Sequence, residues 1–209
     1  MPNTDCLERG SDLTTRDGHV EEFWGLFSGL SKRWVKVEFL QEYDESGSPA
    51  YRTFREGDHR EAERLVKEMV RSQTEFYSLA RERGLEMIRI RVYWLPLSDY
   101  LRYYEIPAYE ADVECGEDVR FLPGTRIPPG LCDGLTDYVL FDDERVVTLE
   151  YEGTTPQLRR ARLVEGRESV DRYLEITRSL LDLSERMHDD PVYREVGPDA
   201  ARTPWNSTV

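Results

Sequence analysis

Apolar residues recur along this chain with two different periods, and the switches between them mark the elements. From His19, "HVEEFWGLFSGLSKRW" places Phe23, Trp24, Phe27 and Leu30 on one helical stripe, and "WVKVEFLQEY" then alternates Val35, Val37 and Phe39 with polar residues as a strand does. Residues 43–50, "YDESGSPA", carry only loop signals. The clearest helix follows. Asp58 with Glu61 three positions later makes a capping-box arrangement, Gly84 stands where a left-handed C-cap is expected, and Leu65, Met69, Phe76 and Ala80, flanked by Val66, Val70 and Tyr77, form the inner stripe. Next, "MIRIRVYW" alternates strictly, with Ile88, Ile90, Val92 and Trp94 on one face and Arg89, Arg91 and Tyr93 on the other. It reads as a central strand whose arginine-bearing face either lines a cleft or is covered by acidic neighbours.

Pro96 closes that strand, and Ser98 or Asp99 is a suitable N-cap for a helix that turns Tyr100, Leu101, Tyr104 and Ala108 inward. Pro107 lacks an amide hydrogen and clashes with the preceding turn, so residues 98–115 are expected to form two short helices or one kinked helix. After Gly116, "VRFLP" is a short strand and "GTRIPPGLCDG" a Pro- and Gly-rich loop. "DYVLFDDERVVTLEY" reads as a hairpin turning at Asp142 to Glu144, and "EGTTPQ" turns the chain into "LRRARLV". From Ser169, the residues Val170, Tyr173, Leu174, Thr177, Leu180, Leu181 and Met187 keep helical spacing to about His188. Helices and strands interleaved in this order predict a single α/β or α+β domain over 19–188, with a mixed, mostly antiparallel sheet and packed helices. The strand at 86–94 lies centrally and the late meander carries the antiparallel edges. Residues 1–18 are expected to be a mobile segment and residues 189–209 a tail.

Composition narrows the function classes. A chain of 209 residues with 39% hydrophobic and 33% charged residues suits one packed domain. No run approaches the ~18 apolar residues of a membrane span, and the N-terminus has neither the basic region nor the apolar stretch of a signal peptide. A cytoplasmic protein without membrane contact is expected. Cys6, Cys115 and Cys132 have no C-x-x-C spacing and read as reduced thiols. The formal net charge of −14 repels phosphate backbones, so direct nucleic-acid binding is disfavoured and a protein partner is favoured.

Several chemistries leave no trace. The chain contains no G-x-G-x-x-G and no G-x-x-x-x-G-K-[ST], so neither a dinucleotide cofactor nor a P-loop nucleotide is expected. His19, His59 and His188 form no H-x-x-x-H or H-x-H pair, and no metal is expected. A G-x-S-x-G elbow and an H-x-K pair are also absent. Carboxylate acid–base chemistry stays open through Asp99, Glu105, Glu117, Asp142 and Asp143.

Ligands of open α/β sheets bind beyond the carboxyl ends of strands, which makes "WLPLSDYLRYYE" after the strand at 86–94 the place to look. The candidate ligand-binding residues are Arg91, Asp99, Tyr100, Arg102, Tyr109, Glu117 and Asp142, and inward arginines would suit a small anionic, even phosphate-bearing, ligand. Each has a structural counterpart: Asp99 as a cap, Tyr100 and Tyr104 as an i, i+4 packing pair, Arg102 with Glu105 as a surface pair, Asp142 and Asp143 as turn residues. Glu117 could pair with Arg89 or Arg91 across the sheet.

The run "PLSDYLRYYEIPAYEADVECGEDVRFLP", followed by "DYVLFDDERVVTLEYEG" and a closing helix, resembles an uncharacterised family of actinobacterial proteins known only as a domain of unknown function, over roughly residues 20–190. The elements that carry the resemblance are Ser98-Asp99-Tyr100-Leu101-Arg102, Tyr109, Gly116-Glu117 and Phe141-Asp142-Asp143 with Val146-Val147. It implies neighbourhood with small helix-turn-helix regulators and hence an accessory or regulatory role, and it supplies no catalytic residue. Two functions are carried forward. One is a cytoplasmic accessory protein that binds a protein partner such as a helix-turn-helix regulator. The other is a small cofactor-independent enzyme or ligand-binding protein whose cleft follows the strand at 86–94.

Overall fold

A computed structural model describes residues 10–16 and 18–197 of the chain. In chain order the strands are Gly10–Leu13 (β1), Thr15–Arg16 (β2), His19–Val20 (β3), Arg33–Glu38 (β4), Glu86–Tyr93 (β5), Asp118–Pro123 (β6), Asp137–Phe141 (β7), Arg145–Glu152 (β8), Gln157–Val164 (β9) and Glu185–Arg186 (β10). The helices are Phe23–Ser28 (α1), Pro49–Arg55 (α2), His59–Ser72 (α3), Thr74–Arg83 (α4), Ile106–Cys115 (α5), Arg167–Leu183 (α6) and Pro191–Val196 (α7). Eight strands form one sheet in the order β1-β9-β8-β7-β4-β5-β6-β10, with β2 and β3 a separate pair. β4, β5 and β6 run parallel and the remaining neighbours antiparallel, so the mixed, mostly antiparallel sheet expected from the sequence is present. Among the described residues no helix is long and apolar enough to cross a membrane.

Strand periodicity divides the sheet into two unlike faces. On one, Val35, Val37, Ile90, Val92, Leu122, Tyr138, Leu140 and Val146 meet α6. That helix answers with Val170, Tyr173, Leu174, Ile176 and Leu180, all buried at helical spacing. Each such side chain contributes about 1.5–3 kcal/mol when fully buried, so this dry face supplies a large share of the stability. The opposite face carries Trp34, Lys36 and Glu38 from β4 and Met87, Arg89, Arg91 and Tyr93 from β5, and helices α2 to α5 lie over it.

Several boundaries differ from the sequence reading, each for a local reason. The loop expected at 43–50 ends in α2, because Ser48 and Pro49 serve as N-cap and first helical residue, with Ser48 Oγ accepting from the Tyr51 amide at 3.4 Å. The single helix expected from 58 to 84 is two helices broken at Gln73, although both of its ends are as expected: Asp58 accepts from the Glu61 amide at 3.1 Å and Gly84 is left-handed with φ 64°. The break turns Met69 outward, while Ala62, Val66, Val70 and Tyr77 are buried. Trp94 lies past the end of β5, half exposed, with its ring against Gly124 rather than in the core. Over 98–115 the kink is a π-helical turn, Leu101–Glu105, in which the Ile106 amide reaches back to the Leu101 carbonyl just before Pro107. The closing helix stops at Leu183, and Met187, expected on its stripe, is buried in a short 3₁₀ turn.

The body also extends beyond 19–188. β1 pairs along β9 from Gly10↔Val164 to Leu13↔Ala161, so the meander is covered on its outer side by a polar edge strand that ion-pairs through Asp12 with Arg162. At the other end α7 packs Val192 and Tyr193 into the core, and Asp190, fully buried, caps it by accepting from the Val192 amide at 2.8 Å. Of the mobile segment expected over 1–18, residues 1–9, with Cys6, and residue 17 lie outside the described residues, as do residues 198–209 of the tail expected over 189–209.

The hairpin between β7 and β8 turns at Asp142 and Asp143, whose φ values of 55° and 62° have the sign a tight hairpin requires. Asp142 does more than turn the chain. Its carboxylate accepts from the amides of Ser31, Lys32 and Arg33 at 2.7, 2.7 and 3.0 Å and from the Ser31 hydroxyl at 3.0 Å, fastening the start of β4 to the hairpin. Asp142→Ala strands these donors and should cost about 2–4 kcal/mol in urea unfolding, whereas Asp142→Asn, which keeps one acceptor and tolerates positive φ, should cost about half as much. Equal stability of Asp142→Ala and the parent would show that water replaces the carboxylate.

Candidate functional site

Charge on the helical face of the sheet follows from register. Lys36 stands beside Arg89 and Glu38 beside Arg91 on adjacent parallel strands, which concentrates three cations around one buried carboxylate. Glu38 is 2% exposed. Its Oε1 meets Lys36 Nζ at 2.6 Å and Arg89 Nη1 at 3.1 Å, and its Oε2 accepts from Arg91 Nη2 at 3.0 Å and from the Tyr109 hydroxyl at 2.9 Å. Burial opposes its charge, but Arg91, Lys36 and Arg89 together hold the carboxyl well below the usual carboxylate range.

Arg91, 1% exposed, is spoken for on every side. Nε donates to Tyr109 Oη at 2.6 Å, Nη1 donates to the Leu40 carbonyl at 2.5 Å and to Tyr43 Oη at 3.3 Å, and the rings of Tyr43 and Tyr109 lie 5.3 and 5.6 Å from its central carbon. Arg89 is held by Glu117, with Nε to Oε1 at 2.8 Å, and lies 3.7 Å from Asp112, whose other oxygen accepts from Tyr77 Oη at 2.6 Å. The left-handed Gly116 at the exit of α5 sets Glu117 on this path. Tyr43 donates a short hydrogen bond to Asp137, whose second oxygen accepts from the Phe39 amide at 2.7 Å.

A second group of carboxyls sits at the margin of this network. Tyr100 Oη lies 2.5 Å from Glu105 Oε1 and 2.7 Å from Glu45 Oε1, and Tyr104 Oη lies 2.8 Å from the other Glu45 oxygen. A phenol has one hydrogen, so Tyr100 donates to one carboxylate and the contact to the other requires a proton on that carboxyl. Glu105, the more buried of the two, is the carboxyl that holds it. Burial first, then the nearby Glu45, pushes Glu105 up to about 7 in spite of Arg91 4.0 Å away.

These groups border a cavity of about 990 Å³, within the size range of small-molecule sites. Its polar lining includes Lys36, Glu38, Glu45, Arg89, Glu105 and Asp112, and its apolar lining includes Phe23, Trp34, Phe76, Val139, Phe141 and Leu149. The indole N–H of Trp34, itself 3% exposed, has no acceptor among the described residues, a cost of about 1–3 kcal/mol for a buried donor.

Of the residues singled out from sequence, the structure brings Arg91, Tyr100, Tyr109 and Glu117 into one connected buried network. Asp99 and Arg102 are exposed, and the Arg102 guanidinium lies over the Tyr103 ring at 5.9 Å, away from the cavity. The surface pair expected between Arg102 and Glu105 is not formed, because the π-helical turn rotates Glu105 inward toward Tyr100. Asp142 lies at the opposite end of β4 from Glu38, where it anchors the hairpin. The strand arginines prove to have acidic cover, so they do not offer free positive charge to an anion. Sequence reasoning missed Lys36, Glu38, Glu45, Asp112 and Asp137. For Lys36 and Glu38 the signal was present: they alternate with Val35 and Val37 as Arg89 and Arg91 alternate with Ile90 and Val92.

Glu105 and Glu38 shift in opposite directions, and their pH windows differ accordingly. A carboxyl raised in the folded state from 4.5 to about 7 keeps its proton while the unfolded chain loses one, so its contribution is complete below about 4.5 and lost as pH rises through about 7. Glu117, which burial pushes up to about 7 against the pull of Arg89, adds to the same window. Glu38 contributes above the ordinary carboxylate range and loses its contribution in strong acid. Thermal unfolding should show the parent protein losing stability between pH 4.5 and 7. Glu105→Gln should flatten part of that slope and leave the protein more stable than the parent at pH 8, on the order of 2 kcal/mol. An unchanged slope in the variant would place the proton elsewhere.

No curated protein matches this chain. A family model described as Domain of unknown function (DUF6879) matches residues 21–189, which take in the charged floor, the cavity lining apart from Gly18, His19 and Val20, and the helix beneath the sheet, and the protein belongs to that family.

Proposed function

We propose that this protein binds a small molecule in the cavity above the charged face of the sheet, acting as an accessory or sensing module rather than through a nucleophile of its own. The observation that carries the reading is the cavity, about 990 Å³, closed on one side by apolar and aromatic side chains and floored on the other by a hydrogen-bonded charged network. Such a floor is pre-organised: Glu38, Arg89 and Arg91 hold one another in place before any ligand arrives. Burial raises the phenols of its network, Tyr43, Tyr100 and Tyr109, well above the ordinary range, so they serve as hydrogen-bond donors rather than nucleophiles.

An anionic ligand, attractive when the two strand arginines were considered alone, loses its support because carboxylates already neutralise them. A protein partner remains as a second reading, favoured by the exposed Trp94 and Leu95, 43% and 70% accessible, on the connection after β5. A helix-turn-helix regulator in the cytoplasm of an actinobacterium would be the partner of that reading.

Mass spectrometry of the protein purified gently from its native cells tests the first reading. The expected result is a small molecule bound one to one and released on denaturation. Leu149→Trp, which puts an indole into the cavity from β8, should abolish its retention with the fold kept, as judged by circular dichroism. A parent protein that carries nothing, and that no member of a metabolite collection protects against thermal unfolding, would sink the reading.

A further inference from the structure

The two ends of the cavity make different demands on whatever fills it. At one end Glu45 and Glu105 meet across a single phenolic hydroxyl. Glu105 is faced by Glu45 from the loop before α2, Glu38 from β4, Arg91 from β5, Tyr109 from α5, and Tyr100 and Tyr104 of its own segment. Lys36, Arg89 and Arg91 together neutralise Glu38, and the guanidinium beside Glu105 is that of Arg91, 4.0 Å away and already bonded to Glu38 at 3.0 Å. Burial and the neighbouring Glu45 favour the protonated form of Glu105.

At the other end Trp34 presents a buried indole N–H with no acceptor among the described residues, edge-on to Phe76 at 5.9 Å. Trp34 and Glu38 lie four residues apart on one face of β4, roughly 13 Å along the strand. Apolar rings and aliphatic side chains, among them Phe76, Val139 and Phe141, line the space at the Trp34 end.

We infer that the ligand is an elongated organic cation whose ammonium group sits between the Glu45 and Glu105 carboxyls in place of the proton on Glu105, and whose apolar body carries an acceptor for the Trp34 indole N–H. This rests on the reading of the cavity as a ligand site. The exchange balances without a co-reactant: the ammonium enters with its three hydrogens, and the carboxyl proton leaves to solvent. Because burial pushes Glu105 up to about 7, the exchange releases a proton in mild acid, whereas in mild base the carboxylate is already free. A neutral analogue cannot drive the release, and an analogue without the acceptor leaves the indole unpaired.

Isothermal titration of the intact protein tests this with three probes: 4-(4-acetylphenyl)butylamine, the alcohol 4-(4-acetylphenyl)butanol, and 4-(4-isopropylphenyl)butylamine. Each is titrated at pH 6 and pH 8 in two buffers of different ionisation enthalpy. The acetyl amine should bind, with the alcohol and the isopropyl amine each weaker by about 10-fold. Close to one proton should leave per amine at pH 6, and close to none at pH 8. Glu105→Gln should remove both the proton release and the preference for amine over alcohol. Trp34→Phe should remove only the preference for acetyl over isopropyl, and in the parent the Trp34 indole N–H resonance should move downfield with the acetyl probe alone. Equal binding of alcohol and amine, or no proton release at pH 6, overturns the inference while leaving the cavity a ligand site. If none of the three binds although the native protein carries a cavity ligand, the cation assignment fails. If none binds and the native protein is also empty, the underlying reading fails with it.

Discussion

Everything on the helical side of the sheet depends on the carboxylate of Glu38. Lys36, Arg89 and Arg91 project from two adjacent strands into a region that helices largely cover, and in its absence their charges would face one another at strand spacing with little water to separate them. Glu38 resolves this by accepting from all three and from Tyr109. The position is costly in desolvation, and replacing such a network by well-packed apolar side chains is often neutral or even stabilising. What a hydrocarbon core would not provide is a rigid polar floor beneath a cavity.

The other face of the sheet makes that floor tolerable. α6 presents an unbroken apolar stripe to Val35, Val37, Ile90 and Val92, and Tyr138 with Thr177 satisfies the polar atoms there in a single 2.9 Å contact. Each central strand therefore performs two tasks by parity alone. Odd-numbered positions of β4 and even-numbered positions of β5 build a dry core, and the alternate positions build the network. Asp142 holds this arrangement from the far end, since β4 cannot shift along its neighbours while three of its leading amides are fixed to the hairpin.

The sequence made the sheet legible because period-two alternation and turn chemistry are local. The stretch "MIRIRVYW", the capping box at Asp58 and the paired aspartates of the hairpin each announced their structure within a few residues. Local signals misled where two structures begin alike. Ser48-Pro49 is equally a turn and a helix start, and only the packing of Ala50, Tyr51 and Phe54 decides between them. The site was half legible for a related reason. Arg91, Tyr109, Tyr100 and Glu117 stood out as charged or phenolic groups within apolar surroundings, but the partners Glu38 and Glu45 are distant in sequence, as Asp112 is from Arg89 and Asp137 from Tyr43, and they come close only through strand register and helix docking. Arg102 and Glu105 illustrate the limit. Three residues apart, they should face one another on an α-helix, and the π-helical turn ahead of Pro107 sends one outward and the other into the core.

That rotation of Glu105 gives the cavity its chemical character. Had the segment stayed α-helical, the carboxyl would have found Arg102 at the surface, and the space beside Tyr100 would hold only Glu45 with two phenols to satisfy it. With Glu105 inside, burial and then Glu45 favour its protonated form, and that proton is a removable counter-charge. Arg91 cannot take over that task because Tyr109, Glu38 and the Leu40 carbonyl fix its orientation. A floor whose permanent charges are locked together thus ends beside Glu45 and Glu105, on the lining of the cavity, where the proton of Glu105 can be exchanged.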